Sequence, residues 1–147
     1  MAAAAYQPRR AARHEQHARR VLVAEDDADT AALLSDVLAG AGYAVTVVDS
    51  GLGLLGEVRR LRPSVVLLDL GLPYRSGVSL LTELKADPHT AAIPVVVISG
   101  LVDLLPPDRV PLAAVILPKP FSVAELLSAL RLAAGPEPAD SAWEASA

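Results

Sequence analysis

Cysteine is absent from this 147-residue chain, which excludes a disulfide framework and any thiolate metal site. That absence fits a reducing cytoplasm, where the protein is expected to reside. Lysine is nearly absent too: Lys85 and Lys119 stand against eleven arginines. With abundant alanine and proline, the imbalance points to GC-rich coding DNA and makes each remaining lysine informative. No apolar run reaches the ~18 residues of a transmembrane helix, so no membrane role is expected. What the chain does have is 52% apolar and 20% charged residues, enough for the core of one globular domain.

The net charge of −4 is unevenly spread. Residues 1–20 hold five arginines and one acid, Glu15, so the rest of the chain carries −8. An acidic body argues against direct nucleic-acid binding. Residues 1–19 lack hydrophobic periodicity and read as a disordered basic tail. Their arginines imitate a transit peptide, but no cleavable apolar region follows. His14 and His17 lie in this tail and are not expected to ligate a metal. Residues 135–147, rich in Pro, Ala and acids, read as a flexible C-terminal tail. Neither tail has the length of an output domain, so one domain over residues 20–134 is expected.

Within that domain the hydrophobic period alternates between two and 3.6. Short apolar or β-branched runs predict strands at Val21–Ala24, Ala44–Val48, Val65–Leu68, Pro94–Ile98 and Ala113–Leu117. Helical spacing predicts helices over Ala28–Ala41, Leu52–Leu61, Val78–Ala86 and Ser122–Ala133. The first places Ala31, Leu34, Val37, Leu38 and Ala41 on one stripe and stops at Gly42. The last has Ser122 as N-cap and Glu125 three residues on, a capping box. Strands alternating with helices give an α/β fold, a doubly wound five-stranded parallel sheet covered on both faces. In such sheets functional groups gather beyond the carboxyl ends of the strands.

Four of the five strand ends carry chemistry. The first runs into Glu25-Asp26-Asp27, the third ends at Asp69, the fourth at Ser99, and the fifth leads to Lys119. Crowded carboxylates repel one another unless a cation intervenes. An all-oxygen donor set of a few carboxylates plus water selects a hard ion, Mg²⁺ rather than Ca²⁺. Asp69 can then act as a nucleophile on phosphorus. Lys119 offers a compact positive charge, and the Ser99 hydroxyl a hydrogen bond, to phosphoryl oxygens. Taken singly each residue has a plainer explanation: turn residue, solvated charge, or helix cap in the case of Asp27 and Asp29. Their joint occurrence points to a phosphorylation site.

These residues carry a resemblance. VLVAEDD (Val21–Asp27), VVLLDLGLPYRSG (Val65–Gly77), IPVVVISG (Ile93–Gly100) and LPKPF (Leu117–Phe121) together resemble bacterial two-component response-regulator receiver domains, CheY-like and single-domain. The likeness spans about Arg20 to Ala134. It implies strand order 2-1-3-4-5, phosphoacceptor Asp69, and Mg²⁺ held by Glu25, Asp26, Asp69 and the Gly71 backbone carbonyl, with Glu25 acting through water. It implies that Ser99 and Lys119 contact the phosphoryl group and that the Lys119–Pro120 bond is cis. The donor would be a sensor histidine kinase or a histidine phosphotransfer protein. Such a protein is a signalling phosphoacceptor that catalyses only its own phosphotransfer and dephosphorylation, with a downstream protein target. Homodimerisation is left open.

Two departures stand out. Ile116 occupies the position three before Lys119, where the family usually has Tyr or Phe, and it cannot swing a ring. Leu101–Pro111 contains Pro106, Pro107 and Pro111, and proline inside a helix costs ~3 kcal/mol. The fourth helix is therefore expected to be short or irregular, and with it the surface by which many receivers dimerise. The rival is a receiver-like binding module that works without phosphate. Two enzymatic rivals are weaker. Gly51-Leu52-Gly53-Leu54-Leu55-Gly56 spells a dinucleotide fingerprint, but too little chain follows for a catalytic domain. A dehalogenase-type phosphatase would want an acid where Gly71 stands.

Overall fold

The structure is a computed structural model; it describes residues 19–100 and 105–135, apart from the Ser99 side chain. Residues 1–18, 101–104 and 136–147 lie outside it, as do expectations resting on them. Five parallel strands form one sheet in the order β2-β1-β3-β4-β5. They are β1 (Arg20–Ala24), β2 (Ala44–Val48), β3 (Val65–Asp69), β4 (Val95–Ser99) and β5 (Val115–Pro118). The helices are α1 (Ala28–Gly40), α2 (Leu54–Leu61), α3 (Gly77–Ala86) and α4 (Val123–Ala134). No helix among the described residues is long and apolar enough to cross a membrane.

Near-continuous apolar strands are what a sheet buried on both faces requires. Alternate side chains divide between the two faces. Leu22, Ala24, Val66, Leu68, Val95 and Val97 join Leu54 and Val58 of α2 and Leu80, Leu81 and Leu84 of α3. Val21, Val23, Val65, Leu67, Val96 and Ile98 join Leu34 and Leu38 of α1 and Leu126, Ala129 and Leu130 of α4. The central strand β3 is buried throughout, whereas the edge strand β2 is not.

Local sequence explains the element ends. Asp27 caps α1, accepting from the Thr30 N–H at 2.9 Å. Ser122 and Glu125 form the expected capping box on α4. The second helix starts two residues later than its hydrophobic pattern suggests, because Gly53 is its N-cap. Of the fingerprint-like glycines, Gly53 and Gly56 face open space, while a Cβ on Gly51 would meet Arg75 Cβ at 2.9 Å. The first glycine thus serves loop packing. After α3 the chain turns tightly: His89 N–H donates to Asp87 Oδ1 at 2.8 Å, and buried Thr90 donates to the Leu84 carbonyl at 2.6 Å. Lys85 Nζ donates to the carbonyls of Ala91 and Ile93, at 3.2 and 2.6 Å.

Residues 105–114 of the crossover from β4 to β5 are irregular, as the prolines there predict. Among the described residues the crossover holds turns and one 3-10 turn, Val110–Leu112, containing Pro111. Leu105 is nonetheless buried in the core, and Leu112, Ala113 and Ile116 pack partly buried against the same cluster. Arg109 Nε donates to Thr82 Oγ1 at 3.2 Å, tying the crossover to α3. Ile116 therefore packs, as an aliphatic side chain can.

Candidate functional site: an acidic rim with one lysine

The parallel order sets β1 beside β3 and β3 beside β4, so their carboxyl ends meet at one rim. Asp69 is the last residue of β3, in register with Ile98, while Ser99 closes β4 opposite Pro118. Glu25 follows β1 directly, and its N–H extends the ladder to the Val48 carbonyl at 3.0 Å. Folding thereby buries two acids: Glu25 is 1% and Asp69 7% exposed. Asp26, between Glu25 and the capping Asp27, stays exposed.

Glu25, Asp26 and Asp69 each offer an oxygen within 4.8 Å of the others. Lys119 reaches in from the end of β5. Its Nζ donates to Glu25 Oε1 at 3.0 Å and to Asp69 Oδ2 at 3.1 Å. The other Asp69 oxygen, Oδ1, accepts from the Gly71 N–H at 2.8 Å. Glu25 Oε2 accepts from the Asp27 N–H at 3.3 Å. The Lys119–Pro120 bond is cis.

Burial pushes the Glu25 carboxyl above the usual carboxylate range; the bond from Lys119 opposes that shift and nearby Asp69 adds to it. Burial acts against the Lys119 ammonium, yet Glu25 and Asp69 outweigh it and hold its pKa above the ordinary lysine value. Three carboxylates and one ammonium leave two formal negative charges, which a single divalent cation would balance. All the donors are hard oxygens, and the protein offers few of them, so the set fits Mg²⁺.

The structure thus brings together Glu25, Asp26, Asp69 and Lys119, all named from sequence. Gly71 reaches the site through its N–H. Ser99 stands at the neighbouring strand end, its side chain outside the described residues. Sequence reasoning missed the bridge from Lys119 to Glu25, because 94 residues separate them and no local pattern links them. It also passed over Tyr74, an exposed aromatic with φ of 72° in the loop after β3. The aromatic in the Pro-Tyr-Arg-Ser-Gly run was the available signal.

Residues 21–131 match the response regulator receiver domain. The chain belongs to that family. The receiver is 40% identical over 85 residues to the DNA-binding response regulator MtrA of Mycobacterium leprae, covering 58% of this chain and 36% of that protein. It therefore spans about a third of the length of the MtrA relatives it matches. Protein Rrf1 of Nitratidesulfovibrio vulgaris is 34% identical over 109 residues, 74% of this chain and 78% of its own. Among solved structures, the receiver domain of a sensor histidine kinase from Pseudomonas aeruginosa superposes with a TM-score of 0.72 at 27% identity. That match covers 80% of this chain and 98% of the other, whose active-site cleft holds a coordinated magnesium ion. A CheY-like receiver from Methylobacillus flagellatus gives 0.71 at 28% identity, covering 78% and 97%.

Proposed function

We propose that this receiver accepts a phosphoryl group on Asp69 from a phosphohistidine of a sensor histidine kinase or histidine phosphotransfer protein. One observation carries the reading: buried Asp69 lies within ion-sharing distance of Glu25 and Asp26 while Lys119 grips one of its oxygens. An Asp69 carboxylate oxygen attacks phosphorus, the O–P bond forms, the histidine N–P bond breaks, and the ring nitrogen keeps the electron pair. Glu25, Asp26, Asp69 and the Gly71 carbonyl would hold Mg²⁺, which neutralises charge on the transferring group. Lys119 is already charged and aimed at Asp69, so it can turn to a phosphoryl oxygen as negative charge arrives. The strand-end position of Ser99 supports its role as a hydroxyl donor to the same group. The Gly71 N–H fixes the carboxylate plane through the other oxygen.

The protein serves as a cytoplasmic phosphoacceptor that signals through a protein target, catalysing only its own phosphotransfer and dephosphorylation. Incubation with phosphoramidate and Mg²⁺ should add about 80 Da, one phosphoryl group. The gain should vanish in Asp69→Asn and in excess chelator. Absence of any gain in the unmodified protein would favour the second reading, a phosphate-independent binding module. Ile116 and the irregular β4–β5 crossover are what support that alternative.

A further inference from the structure

Asp69 is recessed: its side chain is 10% exposed. A protein that delivers a phosphoryl group there must cover the surrounding rim, so whatever projects from that rim is touched in every transfer. Among the described residues Val123, which opens α4 on that side, is 53% exposed, and the two more exposed apolar side chains there lie in neighbouring loops. Leu52, in the loop between β2 and α2, is 69% exposed, and Tyr74, in the loop between β3 and α3, is 79% exposed. The two loops are joined. Gly51 N–H donates to the Pro73 carbonyl at 3.4 Å, and Gly51 lies against the Arg75 side chain. Arg75 is itself held by an ion pair to Glu83 of α3, so the loop carrying Tyr74 is braced from both sides.

Tyr74 also sits at a φ of 72°, a left-handed conformation that glycine adopts freely and a bulky residue does not. Core packing cannot account for keeping a tyrosine there, since the ring is in solvent. An exposed aromatic at a strained position next to a reactive group suits a contact with another protein. Its neighbourhood selects that partner's charge. Glu25, Asp26, Asp27, Asp29 and Asp49 follow the carboxyl ends of β1 and β2, and among the described residues the cations at that end are Lys119 and Arg75, the latter already paired with Glu83.

We infer that Leu52 and Tyr74 form a docking patch for the phosphohistidine-bearing protein, whose contact surface presents an apolar spot ringed by basic side chains. This rests on the phosphotransfer reading above and adds the residues that recognise the protein donor, as opposed to the phosphoryl group.

The test separates the two. Tyr74→Gly removes the ring while suiting the backbone, and Leu52→Ser removes the second anchor from an exposed position; both variants should fold. Leu132→Ser is the control, because Leu132 is 78% exposed in the last turn of α4, at the opposite pole. Donors are phosphoramidate and a panel of purified, phosphorylated histidine domains from the sensor kinases of the same genome. The double variant should lose at least about tenfold in kcat/KM with the protein donor, mostly through KM. It should react with phosphoramidate within about twofold of the unmodified protein, and the control should match it with both. Equal loss with both donors would overturn the docking role, as would no loss with either. Labelling of the unmodified protein by phosphoramidate but by no member of the panel would overturn it too. No labelling by any donor would instead sink the phosphotransfer reading itself.

Discussion

The chain's two lysines sit in opposite environments. Lys119 lies at the acidic rim between Glu25 and Asp69, and its pKa is raised. Lys85 lies in the last turn of α3, donating to two neutral carbonyls of the segment that follows, and burial pushes its pKa down. The side chain is identical, so the difference isolates what surrounds it. At the rim the ammonium answers surplus negative charge. In the turn it closes backbone acceptors that would otherwise go unpaired, at the expense of desolvating a charge. The sign of the shift and the charge of the partners set the two lysines apart.

Replacing groups on the two sides should sharpen that contrast. The largest effect belongs to Asp69→Asn, which should abolish the mass gain with phosphoramidate altogether. Lys119→Met comes next. It leaves Glu25 and Asp69 facing each other without a cation, so labelling should fall about a hundredfold or more. In chelator, stability near neutral pH should drop by about 2 kcal/mol in urea unfolding, recovered in part by Mg²⁺. Lys85→Met should cost only about 1 kcal/mol, since two carbonyls lose a donor but a buried charge disappears. Its labelling rate should match the unmodified protein; a rate loss like that of Lys119→Met would break the distinction.

The smallest effect is a slope. Lys119 has a folded pKa above its ordinary 10.5, so its stabilisation is complete below 10.5 and is lost as pH rises through the folded value. Lys85 has a folded pKa below 10.5, so its charge is a penalty at lower pH that fades as pH rises from that value through 10.5. Urea unfolding in chelator between pH about 9 and about 11 should show the two variants departing from the unmodified protein in opposite directions. Departures of the same sign would refute the assignment of their environments.

Much of this was legible in the sequence because it is carried by local pattern. Short apolar and β-branched runs placed all five strands, and the polar residues closing them foretold the rim. Three kinds of feature were not legible. The start of α2 shifted because Gly53 caps it, although the hydrophobic stripe begins at Leu52. The crossover's burial depended on Leu105 reaching a core assembled from distant strands. The bond from Lys119 to Glu25 exists only after β1, β3, β4 and β5 have lined up. Periodicity reports what a segment does alone and is silent about contacts that the sheet creates.

Gly77 sets a boundary on motion. A Cβ there would fall 2.4 Å from the Leu70 Cα, so the first turn of α3 rests directly on the chain leaving β3, with Gly77 N–H bonded to the Leu70 carbonyl. Residues 71–76 consequently form a loop whose two ends are clasped together, with Leu72 tucked into the core. The start of α3 and the chain just beyond Asp69 therefore cannot shift independently: a displacement of Leu70 has to be shared by Gly77.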